Sequence, residues 1–292
     1  MGLVFRCLSW FPLSLLHALG AALGWIVYLA SRTYRRRFRA QVAQAGIAWA
    51  DARPAVAAAG RMAAELPWLW IATRHRPLGD KLRWEGGELI AAALAEKRGL
   101  VVLTPHLGCF EICAQAIAER FTTPEAPITV LYRPARQASL RDVMAGSRER
   151  PGLATAPASL AGVRQMIRGL RKGEVIGLLP DQVPPEGLGV WVPLFGRPAY
   201  TMTLAARLVQ QTGAELLLIW GERLPGGQGF VVHVLPAPEI ARDASNEAAA
   251  TAINAAMESL IRRAPGQYLW GYHRYKQPRG LDIGAAPDNP AP

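Results

Sequence analysis

From Lys81 onward the chain repeats one pattern: a short apolar run rich in β-branched residues, a turn, then apolar residues at helical spacing. "KLRWEG" reads as strand, "GELIAAALAEKR" as helix, "GLVVLTP" as strand, "CFEICAQAIAERF" as helix, "PITVLYRP" as strand and "SLRDVMAGSRER" as helix. Next come a short strand "LATAP", the helix "SLAGVRQMIRGLRKG", the strand "EVIGLLPDQ", a long Pro- and Gly-rich loop to Ala199 and the helix "TMTLAARLVQQTG". Two strands, "AELLLIWGERL" and "GFVVHVLPAPEI", follow, joined by the turn "PGGQG". Strands that alternate with helices pair in parallel, because each helix carries the chain back to the start of the next strand. The pattern therefore predicts an α/β fold, a mostly parallel central sheet with helices on both faces and an antiparallel hairpin late in the chain. No internal repeat, linker or GxGxxG dinucleotide fingerprint interrupts this region.

Ahead of it, the run from Trp10 to Ala30 carries no formal charge over about 20 residues, roughly the length of a helix that crosses the bilayer core. Five arginines follow between Arg32 and Arg39. A cleavable signal peptide has its positive charge ahead of the apolar stretch, so this order predicts a membrane anchor helix over residues 1–31 and a cytoplasmic location for the rest. Pro12, His17, Gly20 and Gly24 weaken the stretch as a straight spanning helix, which leaves an anchor lying in the interface as the alternative. Lys plus Arg outnumber Asp plus Glu by 33 to 22, a formal charge of +11 that suits an anionic membrane, nucleic acid or an acidic protein. No RNP, KH, helix-turn-helix or zinc-finger pattern is present, and the charge is densest beside the apolar run, so a membrane is favoured and no nucleic-acid partner is expected. The three cysteines include Cys109 and Cys113, four apart on a helix, which read as packed thiols in a reducing compartment. No CxxC or HExxH spacing occurs, and no metal is expected.

The stretch "VVLTPHLGCFEICAQ" places His106 just past a strand end and Glu111 in the first turn of the following helix. Ligands of such sheets bind outside the strand C-termini. A carboxylate on one imidazole nitrogen fixes the tautomer, so the other nitrogen can take a proton from a hydroxyl. On spacing alone, His106 and Glu111 are equally a polar turn residue and a carboxylate favoured by the helix dipole.

Around these residues "HLGCFE" resembles the H-x4-[DE] motif of the late acyltransferases of lipid A biosynthesis, the lauroyl and myristoyl transferases within the lysophospholipid acyltransferase superfamily. In the family's order, "LYRPAR" (131–136) resembles its basic block, "LLPDQ" (178–182) with "VWVPLFGRPAYT" (190–201) its Asp-bearing loop and apolar-aromatic segment, and "PGQYLWGYHRYK" (265–276) its C-terminal signature. The likeness implies a glycerolipid-acyltransferase-like α/β domain over residues 32–279, with 280–292 left as a disordered tail. It implies transfer of a fatty acyl chain from acyl carrier protein to a hydroxyl of a phosphorylated, acylated glucosamine disaccharide carrying Kdo sugars, at the cytoplasmic face of the bacterial inner membrane. It also implies that no metal or nucleotide cofactor is needed. Carried over, His106 is the general base, Glu111 its orienting partner, and Arg133 and Asp181 further active-site residues, with Gln182 on the same substrate-binding loop. By spacing alone, Arg133 is an ordinary surface cation and Asp181 a turn residue after Pro180.

Trp191 and Phe195, in an apolar loop after Asp181, are expected to line part of the acyl groove. Arg164, Arg168 and Arg171 share one helix face suited to an acidic carrier protein or lipid headgroups; a merely solvated face has the same spacing. Another polar-lipid acceptor, such as a phosphatidylinositol mannoside, an ornithine lipid or a lysophospholipid, would use the same chemistry. Remoter alternatives are a thioesterase with Cys109 as nucleophile, which lacks a GxSxG elbow, and a non-catalytic membrane-binding protein.

Overall fold

The computed structural model describes residues 2–73, 76–132 and 150–278. Five helices open the chain: α1 (Gly2–Leu8), α2 (Leu13–Ala30), α3 (Arg32–Gln44), the single turn α4 (Trp49–Ala52) and α5 (Pro54–Ala64). A π-helical turn, Trp68–Ala72, leads into the sheet region. There β1 (Leu82–Glu85), α6 (Gly87–Ala95), β2 (Leu100–Leu103), α7 (Phe110–Arg120), β3 (Ile128–Tyr132), β4 (Leu153–Pro157), α8 (Leu160–Arg171) and β5 (Val175–Leu178) follow the sequence pattern. The remainder is β6 (Gly189–Leu194), β7 (Arg197–Met202), α9 (Leu204–Thr212), β8 (Glu215–Arg223), β9 (Phe230–Pro236) and α10 (Asn246–Arg263). The expected helix "SLRDVMAGSRER" and the expected tail lie outside the described residues, Arg150 apart.

The main sheet has the order β1-β9-β8-β2-β5-β3-β4. β8, β2, β5, β3 and β4 run parallel, while β9 pairs antiparallel with β8 and β1 runs with β9. Successive side chains of a strand point to opposite faces, and the central strands are apolar on both. Val101, Leu103, Ile176 and Leu178 pack under α8, α9 and α10; Leu100, Val102, Val175 and Ile219 pack under α6 and α7. The architecture is therefore the α/β sheet, mostly parallel and covered on both faces, that the alternation predicts.

Two elements depart from the sequence reading. The stretch to Ala199, read as a loop, contains the two-stranded sheet β6–β7. Its turn is Phe195-Gly196, both at positive φ (49° and 74°), the conformation that closes a two-residue hairpin. Pro193 and Pro198 face one another in the register one step beyond the closing pair, Leu194 and Arg197. That second pair of a two-residue hairpin exchanges no N–H bonds, so the prolines that argued against strands cost nothing there. The second departure is α10, in a stretch given no element, where the Ser245 side chain accepts from the Ala248 N–H as N-cap.

α2 lies against α5 through glycines. A Cβ on Gly20 would stand 2.7 Å from the Arg61 Cα, and one on Gly60 would collide with the Gly20 carbonyl. Small residues let two helix backbones touch in this way. Gly60→Ala should therefore force the helices apart and lower the thermal midpoint by several degrees, whereas Gly46→Ala, which meets nothing within 4 Å but stands at φ 63°, should cost about 1 kcal/mol for backbone strain alone. Equal losses at the two positions, measured by thermal unfolding, would refute the tight crossing.

Candidate active site

The sheet register brings the site together. β2 and β5 are parallel neighbours with Leu103 opposite Leu178, so His106 and Asp181, each three residues further on, emerge side by side. From β2 the chain crosses to β3 on one side, and from β5 it travels to β8 on the other. This is the topological switch point at which α/β sheets bind ligands.

Asp181 is buried and grips His106 twice. Its Oδ2 accepts from the His106 backbone N–H at 2.8 Å, and its Oδ1 lies 2.7 Å from the His106 Nδ1. Burial alone would raise the Asp181 pKa, but the positive charge His106 carries when protonated, together with its hydrogen bonds, outweighs that and holds the carboxyl below its ordinary range. A carboxylate only accepts, so Nδ1 carries the proton and Nε2 the lone pair; the Gln182 amide N–H donates to that lone pair at 2.9 Å. The ring also packs against Phe110, with centroids 4.7 Å apart.

The turn that presents His106 is held from behind. Gly108 has φ 59°, and a Cβ there would collide with the Gly221 carbonyl, which accepts from the Cys109 N–H at 2.7 Å. The C-terminal block seen in the sequence braces the same turn: the Leu269 N–H donates to the His106 carbonyl at 3.1 Å, and the Gly108 N–H to the Gln267 carbonyl at 3.0 Å. The Tyr272 hydroxyl accepts from the Val183 N–H at 3.0 Å. Tyr268 is buried, and its hydroxyl is pushed well above the ordinary tyrosine pKa by burial and by Asp181 beside it.

Beneath the turn lies a buried ionic network. The Arg223 Nε donates to Glu65 Oε2 at 2.7 Å, and its Nη2 to Glu65 Oε1 at 2.5 Å and to the Gly108 carbonyl at 3.0 Å. His17 of α2 meets the same carboxylate at 3.0 Å. Burial would raise the Glu65 pKa; the charge and hydrogen bonds of Arg223, helped by His17, bring it below the ordinary value instead.

His106 and Gln182 open onto a cavity of about 410 Å³. Its walls are mainly apolar, among them Phe110, Val130, Leu131, Leu178, Val183 and Met202, and its polar lining includes Glu111 and Gln115. An enclosure of this kind suits a methylene chain whose reacting end meets the imidazole.

Glu111 stands in the first turn of α7, as the spacing suggests, and lines this cavity. Its Oε2 accepts from the Trp70 indole N–H at 3.3 Å. The carboxylate hydrogen-bonded to the His106 Nδ1 is that of Asp181, delivered there by strand pairing, while Glu111 lines the same cavity from the first turn of α7. Trp191, on β6, is 41% exposed, and Phe195 is buried at the hairpin turn against Trp270; neither is among the residues that line this cavity. Arg164, Arg168 and Arg171 are exposed together on α8, opposite the buried Met166 and Leu170. Arg133 lies outside the described residues. Cys109 is buried, and burial, with Glu65 nearby, pushes its thiol well above the ordinary pKa, the opposite of an activated nucleophile. Trp70 and Tyr268 are residues that the sequence reading did not single out; Trp70 lies 41 residues before its partner, with no local signal to link them.

The profile of the bacterial lipid A biosynthesis acyltransferase family matches residues 2–277. The chain is 30% identical to the lipid A biosynthesis lauroyltransferase of Escherichia coli (strain K12) over 228 residues, 76% of this chain and 70% of that protein. It is 26% identical over 212 residues to the lipid A biosynthesis palmitoleoyltransferase of the same organism, covering 72% and 66% of the two chains. A lipid A biosynthesis acyltransferase of Haemophilus influenzae is 26% identical over 201 residues, 68% of this chain and 61% of its own. With a histidine at the switch point of an α/β sheet and an apolar-walled cavity beside it, this chain belongs to the bacterial lipid A biosynthesis acyltransferase family.

Proposed function

We propose that this acyltransferase moves a fatty acyl chain from acyl carrier protein to a hydroxyl of a phosphorylated, acylated glucosamine disaccharide carrying Kdo sugars, at the cytoplasmic face of the bacterial inner membrane. The observation that carries the reading is His106, with Asp181 on Nδ1 and Nε2 beside the cavity. An acceptor hydroxyl takes the place of the Gln182 amide at Nε2 and gives up its proton there as its oxygen attacks the thioester carbonyl. Asp181 holds the ring and, with the Glu111 carboxylate that lines the same cavity, favours the imidazolium that forms. When the tetrahedral adduct collapses, the C–S bond breaks and the imidazolium returns its proton to the departing thiolate. No covalent acyl-enzyme is required.

The apolar walls take the acyl chain, each buried methylene contributing about 0.8 kcal/mol. The acidic carrier protein docks on the arginines of α8, a reading supported by their exposure on one helix face. The test is the purified full chain with acyl–acyl carrier protein and the disaccharide precursor, read by mass spectrometry. The expected product is heavier by one acyl group, and an unaltered precursor under conditions where the fold is intact would refute the proposal. In the same assay Arg164→Glu with Arg168→Glu should raise KM for the carrier protein about tenfold at low salt, leaving a small acyl thioester unaffected. Equal losses with both donors would remove the docking role of α8.

A further inference from the structure

The outer side of α2 is an apolar stripe that the fold leaves bare. Leu15, Leu19, Leu23 and Ile26 are exposed along it, and Leu3 and Trp10, at 78% and 89% exposure, extend it past the start of the helix. The opposite side of α2 is bound to the domain from end to end. Leu13 is buried in the core beside β9, and Ser14 backs onto Gly227. His17 joins the Glu65–Arg223 pair, Gly20 meets α5, and Tyr28 packs on Phe38 and Trp49.

This attachment is incompatible with a helix that leaves the domain to cross a bilayer. A spanning α2 would place His17 in the hydrocarbon, and Glu65 and Arg223 with it, because the three form one buried unit. Peeling α2 away instead would strip Glu65 of one partner and open the glycine contact. Lying flat, the same helix keeps every internal bond and offers lipid only its stripe. The exposed Arg32, Arg36 and Arg37, in the first turns of α3, follow directly on the end of this helix and supply positive charge beside the headgroup layer.

We propose that α1 and α2 form an in-plane anchor on a single leaflet containing anionic lipid, with the stripe sunk about 5–10 Å to the acyl-chain boundary. The inference rests on the membrane location proposed above and concerns only how the chain meets the membrane.

Depth and sidedness test it. The full chain would be bound to vesicles of phosphatidylethanolamine and phosphatidylglycerol, with spin labels at Leu15→Cys or Ala22→Cys in a Cys7→Ser background. The two positions are seven residues apart on one side of the helix. Equal, shallow depths are expected. A depth difference of about 10 Å, with residue 22 at the bilayer centre, would mean a spanning helix and overturn the proposal. In the unaltered chain Cys7 is exposed while Cys109 and Cys113 are buried, so an impermeant maleimide reads Cys7. It should fail to reach Cys7 from the face opposite the catalytic domain, and labelling from that face would overturn the proposal. Labels sealed from lipid-soluble quenchers in a cross-linkable dimer would assign the stripe to a second copy and equally refute it. A protein that does not bind vesicles or sediment with membranes removes the membrane location itself. Opposite-face labelling of a membrane-bound protein removes only the in-plane arrangement.

Discussion

His106→Ala should reduce the rate of acyl transfer by about a hundred- to ten-thousand-fold, the contribution of a positioned base, with the fold retained at the assay temperature although the unfolding midpoint falls, because Asp181 stays buried without the imidazole. Asp181→Asn should approach that loss. An amide can still accept from Nδ1, but it supplies no charge to the imidazolium and can turn its NH2 toward the ring, which favours the wrong tautomer. The double variant should be scarcely worse than His106→Ala alone, because the two residues act as one unit. Glu111→Gln should cost less than either, since the carboxylate at Nδ1 remains in place. Single-turnover rates with acyl–acyl carrier protein separate these outcomes. Transfer by a folded His106→Ala protein at near the original rate would dismiss His106 as the base. A Glu111→Gln loss equal to that of His106→Ala, with Asp181→Asn nearly silent, would return the orienting role to Glu111.

Arg223→Leu should be among the most destabilising single changes, at about 3–5 kcal/mol, because it leaves the Glu65 carboxylate buried without its bidentate partner. Glu65→Leu together with Arg223→Leu should recover much of the loss, no charge then being stranded. The same network sets the acid limit of the fold. Glu65 and Asp181 both have pKa values below those of the unfolded chain, so the stability they confer is complete above the ordinary carboxylate range, about pH 4, and drains away as pH falls through their depressed values. Urea midpoints should therefore hold through neutral pH and drop below about pH 4, with a smaller acid loss in the Glu65–Arg223 double variant. A midpoint indifferent to pH down to 3, or a silent Arg223→Leu, would show that the pair contributes little.

What was legible in the sequence follows from locality. β2, the Gly108 turn and α7 are specified by neighbours within a few residues, an apolar run, a glycine at positive φ and helical spacing, and they appear where the pattern placed them. The β6–β7 hairpin was obscured because a proline signals a break unless the pairing partner is known, and the Pro193–Pro198 pairing exists only in the folded register. The partner of His106 was obscured for a related reason. β3 and β4 intervene in sequence between β2 and β5, yet the sheet sets β2 beside β5, so a carboxylate 75 positions away meets the imidazole Nδ1. A family motif names the residue types present at a site; the strand order decides which carboxylate meets which nitrogen. Glu65, His17 and Arg223 gave no local signal either, since each meets its partners only through the packing of α2 and α5 on β8.

The Gln182 amide on the His106 Nε2 carries a kinetic consequence. A thioester that arrives before the acceptor finds the only basic lone pair of the ring already engaged, and a lone water molecule gains little by competing with a tethered amide. Hydrolytic leakage, the chronic hazard of any catalyst that holds an energy-rich acyl donor beside a base, is held down until an acceptor bound by many other contacts displaces the amide. Gln182→Ala should accordingly raise the ratio of released fatty acid to transferred acyl chain, measured with the donor in excess and the acceptor scarce; an unchanged ratio would deny Gln182 this guarding role. Fidelity toward sugar hydroxyl over water would then reside in one neutral side chain adjacent to the aspartate that orients the base.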